Sequence, residues 1–217
     1  KKVASKSKLQ KFAELEQNPI VFEKNPAMKG KWNTEFLKND HPIILELACG
    51  KGEYTNGMAK LFPEKNFIGM DIKGNRIWSG ARITGLEGLE NVAFIRDQID
   101  HTADYFAEGE VAEIWITFSD PFLRDSDARR RLTSTKFLPI YKKIIRTDGH
   151  IHLKTDSDEL YAFTKETLLE IPSEICKDYN DVYALKKNEE LHGIQTYYEK
   201  MHLLNKRTIK YLCFKLV

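Results

Sequence analysis

Short apolar runs that alternate with longer segments of helical period constrain this chain more than any other feature. The runs at residues 43–47, 66–70, 92–96, 113–118 and 150–154 are β-branched or aromatic, and each ends near a polar loop. Between them, residues 54–62, 74–86, 101–106, 133–145 and 158–169 have the length and spacing of covering helices. Strands that are apolar throughout must be buried on both faces, and helical crossovers between parallel neighbours supply that cover. The expected class is α/β, with a mostly parallel sheet and helices on both faces. After Pro172 the pattern changes, and residues 173–179 and 207–217 read as two closing strands around the polar stretch 180–195. A long loop inside a compact fold is more often functional than idle. Residues 1–41 read as a basic helix and an arm containing Asn18-Pro19, Asn25-Pro26 and Trp32. Residues 42–217 read as a single domain, because a chain of 217 residues buries one substantial core.

No window approaches the length of a membrane-spanning apolar stretch, so no membrane partner is expected. Residues 1–11 are basic but lack the apolar core and cleavage site of a signal peptide. Cys49, Cys176 and Cys213 are odd in number and far apart, with no CxxC pair and no histidine at metal-ligand spacing. A reducing cytoplasm without a bound metal is therefore the expectation. The net charge is only +2, yet Lys and Arg cluster in residues 1–11 and in Arg129-Arg130-Arg131. From charge alone such clusters read first as solvated surface, and second as the footprint of an anionic partner.

The first strand runs straight into Ala48-Cys49-Gly50-Lys51-Gly52 and then into a helix. Gly50 and Gly52 stand where the chain must turn tightly and let a ligand approach backbone, the geometry of a nucleotide cleft. Asp71 closes the second strand about twenty residues on, where a carboxylate bonds ribose hydroxyls in the general nucleotide-binding pattern. Glu46 argues against a dinucleotide, because a carboxylate just before the loop repels pyrophosphate but suits the sulfonium and ammonium of S-adenosyl-L-methionine. The full GxGxxG spacing is missing as well. At the end of the third strand, Asp97 and Gln98 both offer a side chain to the adenine amino group, and register decides between them.

The fourth strand ends in Phe118-Ser119-Asp120-Pro121-Phe122 and the fifth in Lys154-Thr155-Asp156. If these strands are neighbours, Asp120 and Asp156 face one crevice at the carboxyl edge of the sheet, where ligands bind, and they are the expected catalytic residues for acceptor chemistry. Either motif alone also serves as an ordinary turn or helix cap.

These motifs, with Arg129-Arg130-Arg131-Leu132-Thr133 and the late Thr196-Tyr197-Tyr198-Glu199, resemble the bacterial tRNA (guanine-N7-)-methyltransferases over roughly residues 46–199. The resemblance implies the class I, Rossmann-like sheet of seven strands with an antiparallel C-terminal strand. It also implies S-adenosyl-L-methionine as methyl donor and a guanosine of the tRNA variable loop as acceptor. Carried over by motif, Glu46, Asp71, the Asp97 or Gln98 position and Asp120 hold the cofactor, while Arg124, Asp156, Thr196 and Glu199 contact the substrate. The loop after Asp120 departs from the family pattern, which is richer in basic residues and has a tryptophan where Phe122 stands. Arg124 keeps a cation there, whereas Asp125 and Asp127 add repulsion toward phosphate. Ala48 replaces the more usual first glycine, which a turn of ordinary backbone angles tolerates. A methyltransferase for another acceptor and a noncatalytic RNA-binding protein are the alternatives, and the oligomeric state, monomer or homodimer, is left open.

Overall fold

The computed structural model of the protein describes residues 6–186 and 189–217. The basic stretch 1–11 lies outside the described residues as far as residue 5, and residues 187 and 188 of the polar stretch are likewise outside them. In chain order the elements are α1 (Lys8–Glu16), β1 (Val21–Glu23), β2 (Ile43–Leu47), α2 (Glu53–Leu61), β3 (Asn66–Asp71), α3 (Gly74–Glu87) and β4 (Val92–Arg96). There follow α4 (Thr102–Tyr105), β5 (Val111–Thr117), α5 (Leu138–Ile144), β6 (Ile145–Thr155), α6 (Asp158–Leu169), β7 (Ser173–Tyr179), α7 (Glu189–His192), α8 (Tyr197–Leu204) and β8 (Lys210–Leu216).

The strands form one sheet in the order β1-β4-β3-β2-β5-β6-β8-β7. Pairings from β1 to β6 are parallel, and β8 runs antiparallel to both β6 and β7. β2 and β3 are buried at every position, as central parallel strands require, and their polar residues Glu46, Asn66 and Asp71 are buried with the apolar ones. One face packs Leu45, Ile68, Ile95, Ile116 and Leu153 beneath the α5 and α6 side, and the other packs Ile44, Phe67, Phe94 and Trp115 with Ile77 and Ala81 of α3. No helix among the described residues is long and apolar enough to cross a membrane.

The sheet has one strand more than expected. Val21, Phe22 and Glu23 pair with Phe94, Ile95 and Arg96, and a Glu23–Arg96 ion pair closes the edge. Nearby, Trp32 is fully buried against Phe22, Phe36 and Phe106, and its indole N–H donates to the Tyr105 carbonyl at 2.8 Å. A buried indole needs that acceptor, because an unpaired N–H would forfeit part of the gain from burying the ring. α1 opens on a capping box, with Ser7 and Gln10 bonding each other's backbone N–H, and its Leu15 reaches the core beside α3.

Other boundaries differ from the sequence reading: β5 begins at Val111 and β8 at Lys210, and the segment between the closing strands, expected as a long loop, carries α7 and α8. The helix expected over 133–145 is confined to Leu138–Ile144, with Pro139 in its first turn, because residues 128–137 run as successive i to i+3 turns. β6 begins at Ile145 instead of residue 150, since its exposed Arg146, Thr147 and Asp148 carry no apolar signal.

Candidate active site

β5 lies beside β2, yet the chain reaches it only after laying β3 and β4 on the other side. Strand order therefore reverses at β2, which opens a crevice beyond the carboxyl ends of these strands. The crevice has a volume of about 810 Å³, with Asp71, Gln98, Asp120, Phe122, Asp156 and Arg207 among its walls. It shares Ala48, Arg76, Phe118 and Tyr198 with a narrower recess of about 130 Å³, which reaches Glu46, Gly50 and Thr196.

Glu46 forms the inner end of the recess and is 5% exposed. Its Oε2 accepts the Thr55 N–H at 2.9 Å and the Thr55 hydroxyl, and its Oε1 accepts the Thr117 hydroxyl at 2.7 Å. Burial pushes this carboxyl up to about 7, against the opposing pull of those donors. The result is an acid poised near neutrality that a neighbouring cation would ionise. Cys49, next to the loop, is buried, and burial together with the Glu46 and Asp71 charges pushes its thiol well up, so it is an inert filler.

Gly50 and Gly52 both adopt left-handed backbone, with φ of 57° and 66°. A Cβ on Gly52 would lie 2.7 Å from the Phe94 ring, whereas one on Gly50 would meet nothing within 4 Å. Gly52 is thus needed for packing, and Gly50 leaves backbone accessible from the recess. Asp71 secures the loop, accepting the Gly50 N–H at 2.9 Å on Oδ2 and the Lys73 N–H at 2.8 Å on Oδ1. The loop, Asp71 and Glu46 together suit an adenosyl ligand that carries an ammonium group. The ordinary backbone angles under which a turn tolerates alanine are not met at Ala48, whose φ is 56°. A left-handed alanine costs about 1–2 kcal/mol, offset in part by the lower unfolded-state entropy of alanine. Ala48→Gly is expected to gain a net of about 0.5–1 kcal/mol and to raise Tm by roughly 1–4 °C in thermal unfolding.

At the next strand end Asp97 is absorbed by its own surroundings. Its Oδ1 accepts the Gln98 N–H at 2.7 Å and lies 3.0 Å from His101 Nδ1, while its Oδ2 accepts the Tyr105 hydroxyl at 2.8 Å. Burial alone would raise its pKa, but the Tyr105, Gln98 and His101 donors bring it below the usual range. Gln98, by contrast, lines the crevice.

The segment after β5 is bent unusually. Phe118 and Phe122 have φ of 49° and 43°, a region that bulky residues enter only when their surroundings force them. Asp120 is exposed and accepts the Phe122 N–H at 3.0 Å, which tightens the turn. Arg131 clamps it from behind, donating from Nε to the Pro121 carbonyl and from Nη2 to the Phe122 carbonyl, each at 3.0 Å, with its guanidinium over the Phe163 ring. Of the three consecutive arginines, Arg131 is therefore structural, whereas Arg130 lines the crevice and stands over the Phe122 ring at 4.3 Å. Arg124 is exposed and is not among the crevice walls.

Asp156, at the end of β6, accepts Arg207 Nη1 at 2.6 Å on Oδ2, which also lies 3.1 Å from His202 Nδ1. The His202 ring in turn stacks on Phe118 at 5.9 Å. Sequence reading missed Arg207 and His202. They lie on the connection into β8 and on α8, and nothing in their spacing announces that both return to β6.

Thr196 lines the recess and caps α8, its hydroxyl accepting the Glu199 N–H at 3.2 Å. Glu199 is fully buried and accepts Lys154 Nζ and the Tyr183 hydroxyl, at 2.7 and 2.8 Å, on Oε1. Burial pulls the Lys154 ammonium below its ordinary pKa, and Glu199 partly restores it. Lys154 also donates to the Leu191 carbonyl at 2.7 Å. Glu199 thus ties the segment between β7 and β8 to the centre of the sheet, beneath the recess.

A sequence family described as "Putative methyltransferase" matches residues 40–212. A tRNA (guanine-N(7)-)-methyltransferase of Porphyromonas gingivalis is 50% identical over 207 residues, covering 94% of this chain and 82% of that protein. One of Christiangramia forsetii is 46% identical over 226 residues, covering 99% of this chain and all of that protein. Among solved structures, a 30S ribosomal A1408 methyltransferase from an uncultured bacterium superposes with a TM-score of 0.60 at 16% identity, covering 83% of this chain and 90% of that one. That likeness concerns the fold.

Proposed function

The chain belongs to the tRNA (guanine-N(7)-)-methyltransferase family, and from that premise we propose how its crevice serves the reaction. It is an S-adenosylmethionine-dependent enzyme that methylates N7 of a tRNA guanosine, which we assign to the variable loop. The observation that carries the reading is the shared crevice of Asp71, Gln98, Asp120 and Asp156, continuous with the recess at Glu46.

S-adenosylmethionine supplies a methyl group on a cationic sulfur. Glu46 would hold its ammonium, the Gly50 backbone would leave room for it, Asp71 would receive the ribose hydroxyls and Gln98 would meet the adenine amino group. Asp120, on the wall of the same crevice, would complete the cofactor site. Guanine N7 carries an in-plane lone pair and no proton, so no general base is needed and the residues act by positioning. In-line alignment within contact distance can recover about 7–11 kcal/mol of a bimolecular barrier. Asp156 accepts the guanine N1 and N2 donors, and a negative group near the ring favours the cationic product. Phe122 and Tyr198 offer faces on which an unstacked guanine can rest. Arg124, Thr196 and Glu199 serve the tRNA side, the last two by holding α8 in place.

We read α1 and the lysines that flank it as a surface that adds phosphate contacts. Lys6, Lys11 and Arg82 gather around the Trp78 ring at 5.8, 4.9 and 6.0 Å, a cationic and aromatic surface suited to nucleic acid. Such an enzyme works on the cytoplasmic tRNA pool. The deciding experiment incubates unmodified tRNA with labelled S-adenosylmethionine and maps the product nucleotide. Label at any position other than guanine N7 would overturn the assignment.

The Glu46 carboxyl gives this reading a pH signature. In the ligand-free protein its pKa is about 7, and the ammonium of S-adenosylmethionine lowers it by favouring the charged form. Binding therefore releases a proton, and affinity rises with pH up to about 7. Calorimetry between pH 5 and 7 should show affinity falling by as much as about tenfold per unit of acidification. Glu46→Gln should bind more weakly and lose the slope; an unchanged slope in the variant would remove Glu46 from the ammonium site.

A further inference from the structure

We propose that His150, Cys176 and Cys213 form a zinc site that staples the last three strands of the sheet. The imidazole nitrogen and the two sulfurs lie within 4.8 Å of one another, one each from β6, β7 and β8. The register explains the convergence. Cys213 pairs with His152 across β6 and β8, so it shares a face with His152 and with His150 two residues earlier. β7 carries a bulge between Ile175 and Lys177, which sets Cys176 beside the residue opposite Cys213. A bulge of this kind re-aims one side chain while the strand continues.

Two thiolates and an imidazole are donors of the type zinc selects. Zinc bonds of about 2.0–2.3 Å in a tetrahedral array hold neighbouring ligands about 3.5–3.8 Å apart. Side-chain rotations bring the three donors to that spacing, and Cys176, which is exposed, has room to turn. Water completes the fourth position. As each sulfur–zinc bond forms, its thiol releases a proton to solvent and no electrons are transferred.

His150 stands six residues before Asp156 on β6, roughly 20 Å back along the strand at about 3.3 Å per residue. The metal therefore takes no part in methyl transfer. It joins β7 and β8, and the segment between these strands bears Thr196 and α8 at the crevice. A staple there holds one wall of the active site.

The test uses the full chain, reduced and stripped with a chelator, titrated with Co²⁺ and then Zn²⁺. One Co²⁺ per chain should bind with a thiolate-to-cobalt charge-transfer band, and zinc should bleach it. Cys176→Ser and His150→Ala, at positions that are not fully buried, should each weaken zinc by more than about 100-fold, because even outer-shell changes cost 10 to 100-fold. Zinc should raise the Tm of the wild type and not of the variants. The proposal fails if no charge-transfer band develops, if the variants bind zinc as the wild type does, or if the reduced protein forms a Cys176–Cys213 disulfide with metal present.

Discussion

Asp156→Ala is expected to cut turnover by about 10²- to 10³-fold, the range typical of removing one charge-stabilising contact in an active site, while S-adenosylmethionine affinity stays near that of the wild type. Asp156, which we assign to the acceptor, follows β6 and lines the crevice but not the recess that holds Glu46 and the glycine loop. Arg207 and His202 hold Oδ2, so one oxygen is anchored and the other is available to guanine. Removing the carboxylate also leaves two basic side chains facing a base that becomes cationic. Asp156→Asn, which keeps the shape and one acceptor, should lose less than the alanine variant. Single-turnover kinetics with tRNA, with calorimetry for the cofactor, separate the effects. Wild-type turnover in Asp156→Ala would end its assignment to the acceptor.

The largest stability effect is expected at the Lys154–Glu199 pair, in which both side chains are 0% exposed. Lys154→Met leaves a carboxylate in the interior with, among the described residues, only the Tyr183 hydroxyl to answer it. Breaking a buried pair from one side costs about 3–5 kcal/mol. For a chain of this size that is a fall in Tm of roughly 6–20 °C. The double replacement Lys154→Met with Glu199→Leu should recover most of the loss, because neither charge is then stranded. Thermal and urea unfolding of the single and double variants measure this. Equal losses in the two would mean that packing, and not the stranded charge, sets the cost. Glu199→Gln gives a further reading, since a lowered Tm with unchanged tRNA affinity would assign Glu199 to holding α8 and not to touching RNA.

Much of this architecture is legible in the chain itself. A parallel sheet needs strands apolar on both faces, and such runs stand out from the helical periods between them, so the strand cores at 43–47, 66–70 and 92–96 were visible. β1 was not, because three residues are too few for a pattern and their place depends on β4 being present to pair with. The same holds at β6, whose exposed first half reads as loop until β5 is beside it.

The glycine loop, Asp71 and the Asp120 and Asp156 motifs were legible because each follows a strand, and strand ends in a parallel sheet share one edge. Periodicity and local motif therefore determined the class, the sheet edge on which the crevice opens and several of its lining residues, among them Asp71, Gln98, Asp120 and Asp156. Only the tertiary structure decided what those residues face. It turned Asp97 to Tyr105 and left Gln98 on the crevice, buried Arg131 as a clamp, and brought Lys154, Arg207 and His202 to Glu199 and Asp156. It also gathered His150, Cys176 and Cys213 from three strands. These outcomes depend on contacts between segments far apart in the chain, whose energies come from burial and charge pairing and leave no mark in the spacing of either partner.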